Sequence, residues 1–129
     1  MDPLISINTL AYEGYDLTTA LREIAEIGIG HVELGFTRGF TEGLTESHFS
    51  AVSAKKINHL LSDLGLSSIA VAAHTDLTTH DAVEELKRRI DFGKNIGVKI
   101  VHTKVGAISG RKQFEKNIQP IADYAESMD

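Results

Sequence analysis

Side chains able to move a proton or hold an ion stand at matching points of this 129-residue chain, each at the end of a short run of apolar residues. They are Asn8-Thr9 after Leu4-Ile5-Ser6-Ile7, Glu33 within Val32-Glu33-Leu34, His74-Thr75-Asp76 after Ile69-Ala70-Val71, and His102-Thr103-Lys104 after Ile100-Val101. In a strand, neighbouring side chains point to opposite faces, so Glu33 faces away from Val32 and Leu34. A carboxylate held in an interior needs a partner. For Glu33 that partner is either a substrate hydroxyl or metal, or a basic side chain such as Lys104 or Arg38. His74 and His102 end consecutive strands, which lie about 4.8 Å apart when adjacent, so the two imidazoles are expected over one site. Imidazole serves as a metal ligand or as a general base near neutral pH. Two histidines fall short of a catalytic zinc site, which takes three protein ligands and an open position. With no cysteine in the chain, any metal takes nitrogen and oxygen ligands.

Two further basic residues belong to this set. Lys104 is either catalytic or paired to an acid. Arg38 lies in Gly35-Phe36-Thr37-Arg38-Gly39-Phe40-Thr41-Glu42-Gly43-Leu44, a long connection with three glycines and two phenylalanines expected to be exposed, which reads as a lid or as an ordinary loop. Arg38 is suited to clamp a phosphate or carboxylate. Ser109-Gly110-Arg111 reads as a helix cap rather than an anion site. His31, His48, His59 and His80 fall at strand starts or on helix surfaces and are assigned no role.

The elements that position these residues repeat one pattern. Three helical stretches end in a glycine that runs into a strand: Gly28 to Leu34, Gly65 to Val71 and Gly97 to His102. Glycine just past a helix takes the left-handed cap conformation, so each helix is expected to lie back on the strand before it. With Leu4 to Ile7 as the first strand, the chain reads as four βα units. The first helix runs from an Asp16 cap to Gly28 with Leu17, Leu21, Ile24 and Ile27 on one face. The second starts near Ser47 and carries Phe49, Val52, Ile57, Leu60, Leu61 and Leu64. The third starts near Thr79 with Val83, Leu86, Ile90 and Ile96 inward. The fourth starts at Ser109 with Phe114, Ile118, Ile121, Ala125 and Met128, and Pro120 is expected to kink it or make it restart.

Strands alternating with helices imply a parallel sheet with right-handed crossovers. The turn after the first strand, Asn8 to Gly14, lacks the glycine-rich phosphate fingerprint of a dinucleotide-binding unit. The expected fold is therefore α/β: four parallel strands with helices outside, a (β/α)4 half of an eight-unit TIM barrel, residues 1–129 forming one domain. In such a barrel the active site is built at the carboxyl ends of the strands. Hydrophobic residues at 42% and charged residues at 24% fit an ordinary globular protein. No run is long enough to span a bilayer and the start lacks a signal-peptide pattern, which points to the cytoplasm. Eighteen acidic against thirteen basic residues disfavour nucleic acid as the main partner, the basic residues being scattered apart from Lys87-Arg88-Arg89.

With Ile5-Ser6-Ile7-Asn8, Gly28 to Leu34 ending in Val-Glu-Leu, His74 after its strand, and Val101-His102 followed by Gly106, the chain resembles the amino-terminal half of the sugar phosphate isomerase/epimerase superfamily. These are the xylose isomerase-like TIM barrels, which also include endonuclease IV. The resemblance covers the whole chain and rests on the order and spacing of short motifs. It implies an enzyme that moves a proton between adjacent carbons of a sugar, with a divalent metal (Mn, Mg, Zn or Co) held mainly by ligands on strands five to eight. On that reading the chain is a fragment, inactive alone, whose substrate-binding residues are Glu33, His74, His102, Lys104 and Arg38. A second reading is a zinc-dependent nuclease like endonuclease IV that cleaves at abasic sites, in which residues matching His74 and His102 ligate zinc. A third is a non-catalytic half-barrel that binds a ligand or partner chain. Four strands leave two unpaired edges, so a homo-oligomer or a second half-barrel is the expected partner besides a small sugar.

Overall fold

The computed structural model of the chain describes residues 4–128. Four strands alternate with four helices: β1 (Ile7–Asn8), α1 (Leu17–Ile27), β2 (His31–Gly35), α2 (Ala51–Asp63), β3 (Ser67–Asp76), α3 (Ala82–Ile96), β4 (Val101–Lys104) and α4 (Arg111–Glu126). Short 3-10 turns at Thr9–Tyr12, Glu46–Phe49 and Ile108–Gly110 lead from the strand ends toward the helices. All strand pairs are parallel and the order is β1-β2-β3-β4. A doubly wound sheet reverses its strand order at a switch point. This one does not, and a run of neighbours taken in sequence is how a barrel is laid down.

The three glycines after α1, α2 and α3 have positive φ, 86° at Gly28, 67° at Gly65 and 95° at Gly97. Each left-handed residue turns the chain straight back into a strand, so the expected helix-to-strand punctuation is what the backbone uses. Asp16 caps α1 by accepting from the Thr19 amide at 3.0 Å. One face of the sheet carries Val32, Leu34, Val71 and Ala73, fully buried against Leu21, Ile24, Ala54, Leu61 and Phe92 of the helices. Phe36, Phe49 and Phe92 pack edge-to-face with centroids 5.3–5.7 Å apart. A smaller cluster of Leu77, Ala82, Leu86 and Ile121 joins α3 to α4.

Several boundaries move from their expected places. β1 is only Ile7–Asn8, because pairing with Val32 and Glu33 begins there and leaves Leu4 and Ile5 exposed. β3 runs on to Asp76, and β4 to Lys104, so His74 and His102 lie within strands rather than after them. α2 starts at Ala51, not Ser47: Ser50 is extended and caps it by accepting from Ser53, and the residues before form a separate 3-10 turn. Val52, expected inward, is exposed. α3 starts at Ala82 because Thr78 and Thr79 bond to Asp76 in the preceding turn. α4 begins at Arg111 after the 3-10 turn, with Gly110 rather than Ser109 as the residue before it. Pro120 sits inside an unbroken α4: it and Lys116, four residues back, are both exposed, so the carbonyl that proline leaves unbonded lies on the wet side.

Candidate active site

The second face of the sheet, the one opposite the helices, gathers the chemistry. Glu33 pairs in register with Ala70 on one side and Asn8 on the other, while Ala72 pairs with His102. Residues Ala70, Ala72 and His74 share a face by strand alternation. Only methyl groups therefore stand on β3 between the flanking Glu33 and His102, and the two side chains meet across it. His102 Nδ1 lies 3.6 Å from Glu33 Oε1, an ion-pair distance rather than a hydrogen bond. Glu33 is 20% and His102 50% exposed at the side chain, so the carboxylate is sheltered and the imidazole is open to a ligand. The partner of Glu33 is thus His102. Neither Lys104 nor Arg38, the basic residues considered from sequence, pairs with it.

His74 lies two residues along β3, in a cavity of about 150 Å³ at the carboxyl ends of β2, β3 and β4, whose walls include Arg38, Asp76, Glu85 and Lys104. His102 is paired with Glu33, and His74 lines the cavity with Lys104 and Asp76. Asp76 Oδ1 accepts from the Thr78 hydroxyl at 2.6 Å and the Thr78 amide at 2.9 Å. Those bonds, with the Lys104 charge adding to them, hold its carboxyl below the usual carboxylate range. Gly106, with φ at 106°, lets the loop after β4 pass against this carboxylate, where a Cβ would run into Asp76 and Thr78.

Arg38 reaches away from Glu33 to Glu46 at 2.6 Å and Glu85 at 3.3 Å. Glu46 also accepts from Arg89 at 2.9 and 3.1 Å and from Arg88 at 3.1 Å. The Arg89 hydrogen bonds foremost, with help from Arg38 and Arg88, lower the Glu46 carboxyl from its usual 4.5 to about 2. Arg89 is 2% exposed and its guanidinium lies 4.1 Å from the centre of the Phe49 ring. The loop after β2 is therefore pinned on α3. Phe36, expected exposed in a lid, is in the core, and Phe40 alone of the two phenylalanines is exposed. Sequence alone does not reveal Glu46, Glu85 and Arg89 as partners, since Lys87-Arg88-Arg89 reads as a plain basic cluster. The available signal was position: Arg89 falls with Leu86, Phe92 and Ile96 on the inward face of α3.

Among the described residues there is no group of three His, Asp or Glu side chains placed to hold a metal ion. Glu33 and His102 supply two donors. The residues present do not make a metal centre by themselves.

No protein-family model matches the chain, and no curated protein does. Solved structures do. An uncharacterised protein from Parabacteroides distasonis ATCC 8503 is 20% identical with a TM-score of 0.69, over 96% of this chain and 49% of that one. A xylose isomerase domain protein from Planctomyces limnophilus is 11% identical with a TM-score of 0.67, over 96% and 49%. A sugar phosphate isomerase/epimerase from Parabacteroides distasonis ATCC 8503 is 17% identical with a TM-score of 0.64, over 96% and 48%. The chain spans about half the length of each of these structures. At such identities the likeness is one of fold, and by fold this chain is half of a TIM barrel of the kind seen in xylose isomerase-like proteins.

Proposed function

We propose that this chain is the substrate side of a sugar isomerase or epimerase whose barrel is closed by a second half. The observation that carries the reading is the Glu33–His102 pair at 3.6 Å on the open face of the sheet, within β2 and β4 and short of the strand ends where barrel enzymes do chemistry. A shift of a proton between adjacent carbons needs a group that takes a proton beside the carbonyl and a group that returns one. A carboxylate and an imidazole side by side are suited to both acts. Glu33 takes the carbon-bound proton, and His102, the more open of the two, orients the carboxylate and contacts a substrate hydroxyl. Returning the proton to the neighbouring carbon, while the hydroxyl proton passes to the former carbonyl oxygen, is isomerisation; epimerisation would need an acid on the opposite face of the same carbon, supplied by the second half. A divalent metal (Mn, Mg, Zn or Co) would belong to this reading only with its ligands mainly from the second half. The names of the structural neighbours support a sugar substrate.

The test is proton exchange. The purified protein is incubated in D2O with a panel of aldoses and ketoses, with and without Mn2+, and the carbon-bound protons are followed by NMR. Exchange of a proton next to the carbonyl is expected in the associated protein and is expected to fall at least about 100-fold in Glu33→Gln, in line with the size of general acid–base effects. An associated protein that exchanges no sugar, or a Glu33→Gln variant that exchanges at the unaltered rate, overturns the reading.

A further inference from the structure

Asn8 ends β1 as the register partner of Glu33, and the proton shift described above does not use it. Its side chain lies on the open face of the sheet. Gly35 shares that face with Glu33 by strand alternation, and a Cβ added at Gly35 would run into the Leu10 side chain and come within 2.6 Å of Asn8 Oδ1. The carboxamide is thus laid over the glycine at the carboxyl end of β2, on the β1 side of Glu33, whereas His102 approaches from the β4 side. Chemistry fixes which way it is turned. Oδ1 accepts from the Leu10 amide at 2.8 Å, and only the oxygen can face an N–H, so Nδ2 is the other limb. Among the described residues Nδ2 has no acceptor, and it is not one of the sealed, unpaired atoms, so its two N–H groups are open to a ligand on a half-buried side chain. Thr9 is used differently: its hydroxyl accepts from the Gly35 amide at 2.8 Å, which ties β1 to β2 beside Asn8.

A base beside a carbonyl needs such a donor. When the proton leaves carbon, the C–H electron pair becomes the new C=C bond and the carbonyl pair moves onto oxygen, so negative charge develops on an oxygen next to the reacting carbon. A hydrogen-bond donor already aimed at that oxygen lowers the barrier, and one such donor is worth about 100- to 1000-fold in rate. The other donors near this face are engaged elsewhere. Arg38 is held by Glu46 and Glu85, Lys104 stands in register with Asp76, and His102 faces Glu33. A neutral amide also suits the place beside Glu33, because a cation next to a carboxylate lowers its pKa and makes it a weaker base.

We propose that Asn8 Nδ2 donates to the ligand oxygen beside Glu33, the oxygen on which charge develops as Glu33 takes the neighbouring proton. Asn8 transfers no proton; it holds the charge by hydrogen bonding. The inference rests on the isomerase or epimerase reading and gives it a third residue. Two measurements on the full chain test it. In the first, glycolohydroxamate, a planar mimic of the enediol, is added to isotope-labelled protein with EDTA present. The side-chain NH2 resonances of Asn8, identified by their loss in Asn8→Asp, are expected to shift. In the second, sugar proton exchange in D2O is compared between variants. Asn8→Asp keeps the shape and the acceptor for Leu10, and Asn8→Ser keeps a capping oxygen without adding charge. Both lack the amide N–H, and each is expected to lower kcat for exchange at least about 100-fold while changing KM little. Exchange at the unaltered rate in either variant, a loss confined to KM, or Asn8 resonances unmoved by the hydroxamate overturns the assignment. No exchange by the unsubstituted protein, with the Asn8 resonances still shifted, instead removes the isomerase reading and leaves Asn8 as the donor to a ligand oxygen.

Discussion

Glu46 is the residue on which the loop after β2 depends. Its folded pKa of about 2 lies below the 4.5 of the free side chain. A depressed carboxyl contributes stability above its unfolded pKa and loses it as pH falls through the folded value. Thermal unfolding is therefore expected to drop between about pH 5 and pH 2, and the drop is expected to be smaller in Glu46→Gln, read as Tm against pH. Removing the acid altogether strands a cation: with Arg89 buried at 2% exposure, Glu46→Ala is expected to cost about 3 kcal/mol, the lower end for a broken buried pair because Glu46 is partly exposed. Arg89→Met combined with Glu46→Gln is expected to recover most of that loss in denaturant unfolding, since an apolar replacement of an ion pair leaves no orphan charge. The residue scale also shows what the sequence reveals. The inward aim of Glu33 follows from alternation alone, because Val32 and Leu34 are both apolar. The pairing of Glu46 with Arg89 does not, because the two are far apart in sequence and nothing local announces a contact between a loop and a helix face. The Glu33–His102 contact lies between these cases: both residues were picked out, but the methyl-sized gap on β3 that lets them meet shows only in the register.

At the scale of elements, the helices are held by few contacts of large effect. Phe92 is fully buried between Phe36 and Phe49, so Phe92→Ala is expected to cost about 3–5 kcal/mol in chemical denaturation. That is a large share of the total stability of an ordinary domain. α4 is tied down differently. Asn117, 4% exposed, donates to the carbonyls of Leu77 at 2.9 Å and Thr79 at 2.7 Å, joining α4 to the loop after β3. Asn117→Leu leaves both carbonyls unpaired, and we expect faster hydrogen exchange in α4 and at the end of β3 than in the rest of the sheet. Helix identity was legible because glycine caps and apolar periodicity agree, as was the start of α1 at its Asp16 cap, but the starts of α2, α3 and α4 were not, because Ser50, Asp76 and Gly110 set them through turns whose bonds are local geometry rather than pattern. Leu4 and Ile5 look like a strand by composition, yet pairing with β2 starts only at Ile7.

At the scale of the whole molecule, the sheet ends at two open sides. Leu4 and Ile5 lie exposed beside β1, and Ile100, Val105 and Ile108 beside β4. A groove of about 620 Å³ between α3, β4 and α4 is lined by apolar residues including Ile90, Val98, Ile118, Ile121 and Met128. Part of the expected inward stripe of α4 is exposed for the same reason: Ile118 and Ala125 face this groove and not a neighbouring element. An unpaired strand edge flanked by apolar surface recruits another chain. Ile100→Lys and Val105→Lys together are expected to shift the protein toward smaller species in gel filtration while leaving its circular dichroism unaltered. The central claim is that these sides belong inside a closed barrel, and the mass of the purified chain by light scattering over a range of concentrations tests it most directly. The account predicts a dimer or larger species whose proportion falls in the double lysine variant, whereas a monodisperse monomer at every concentration would contradict it.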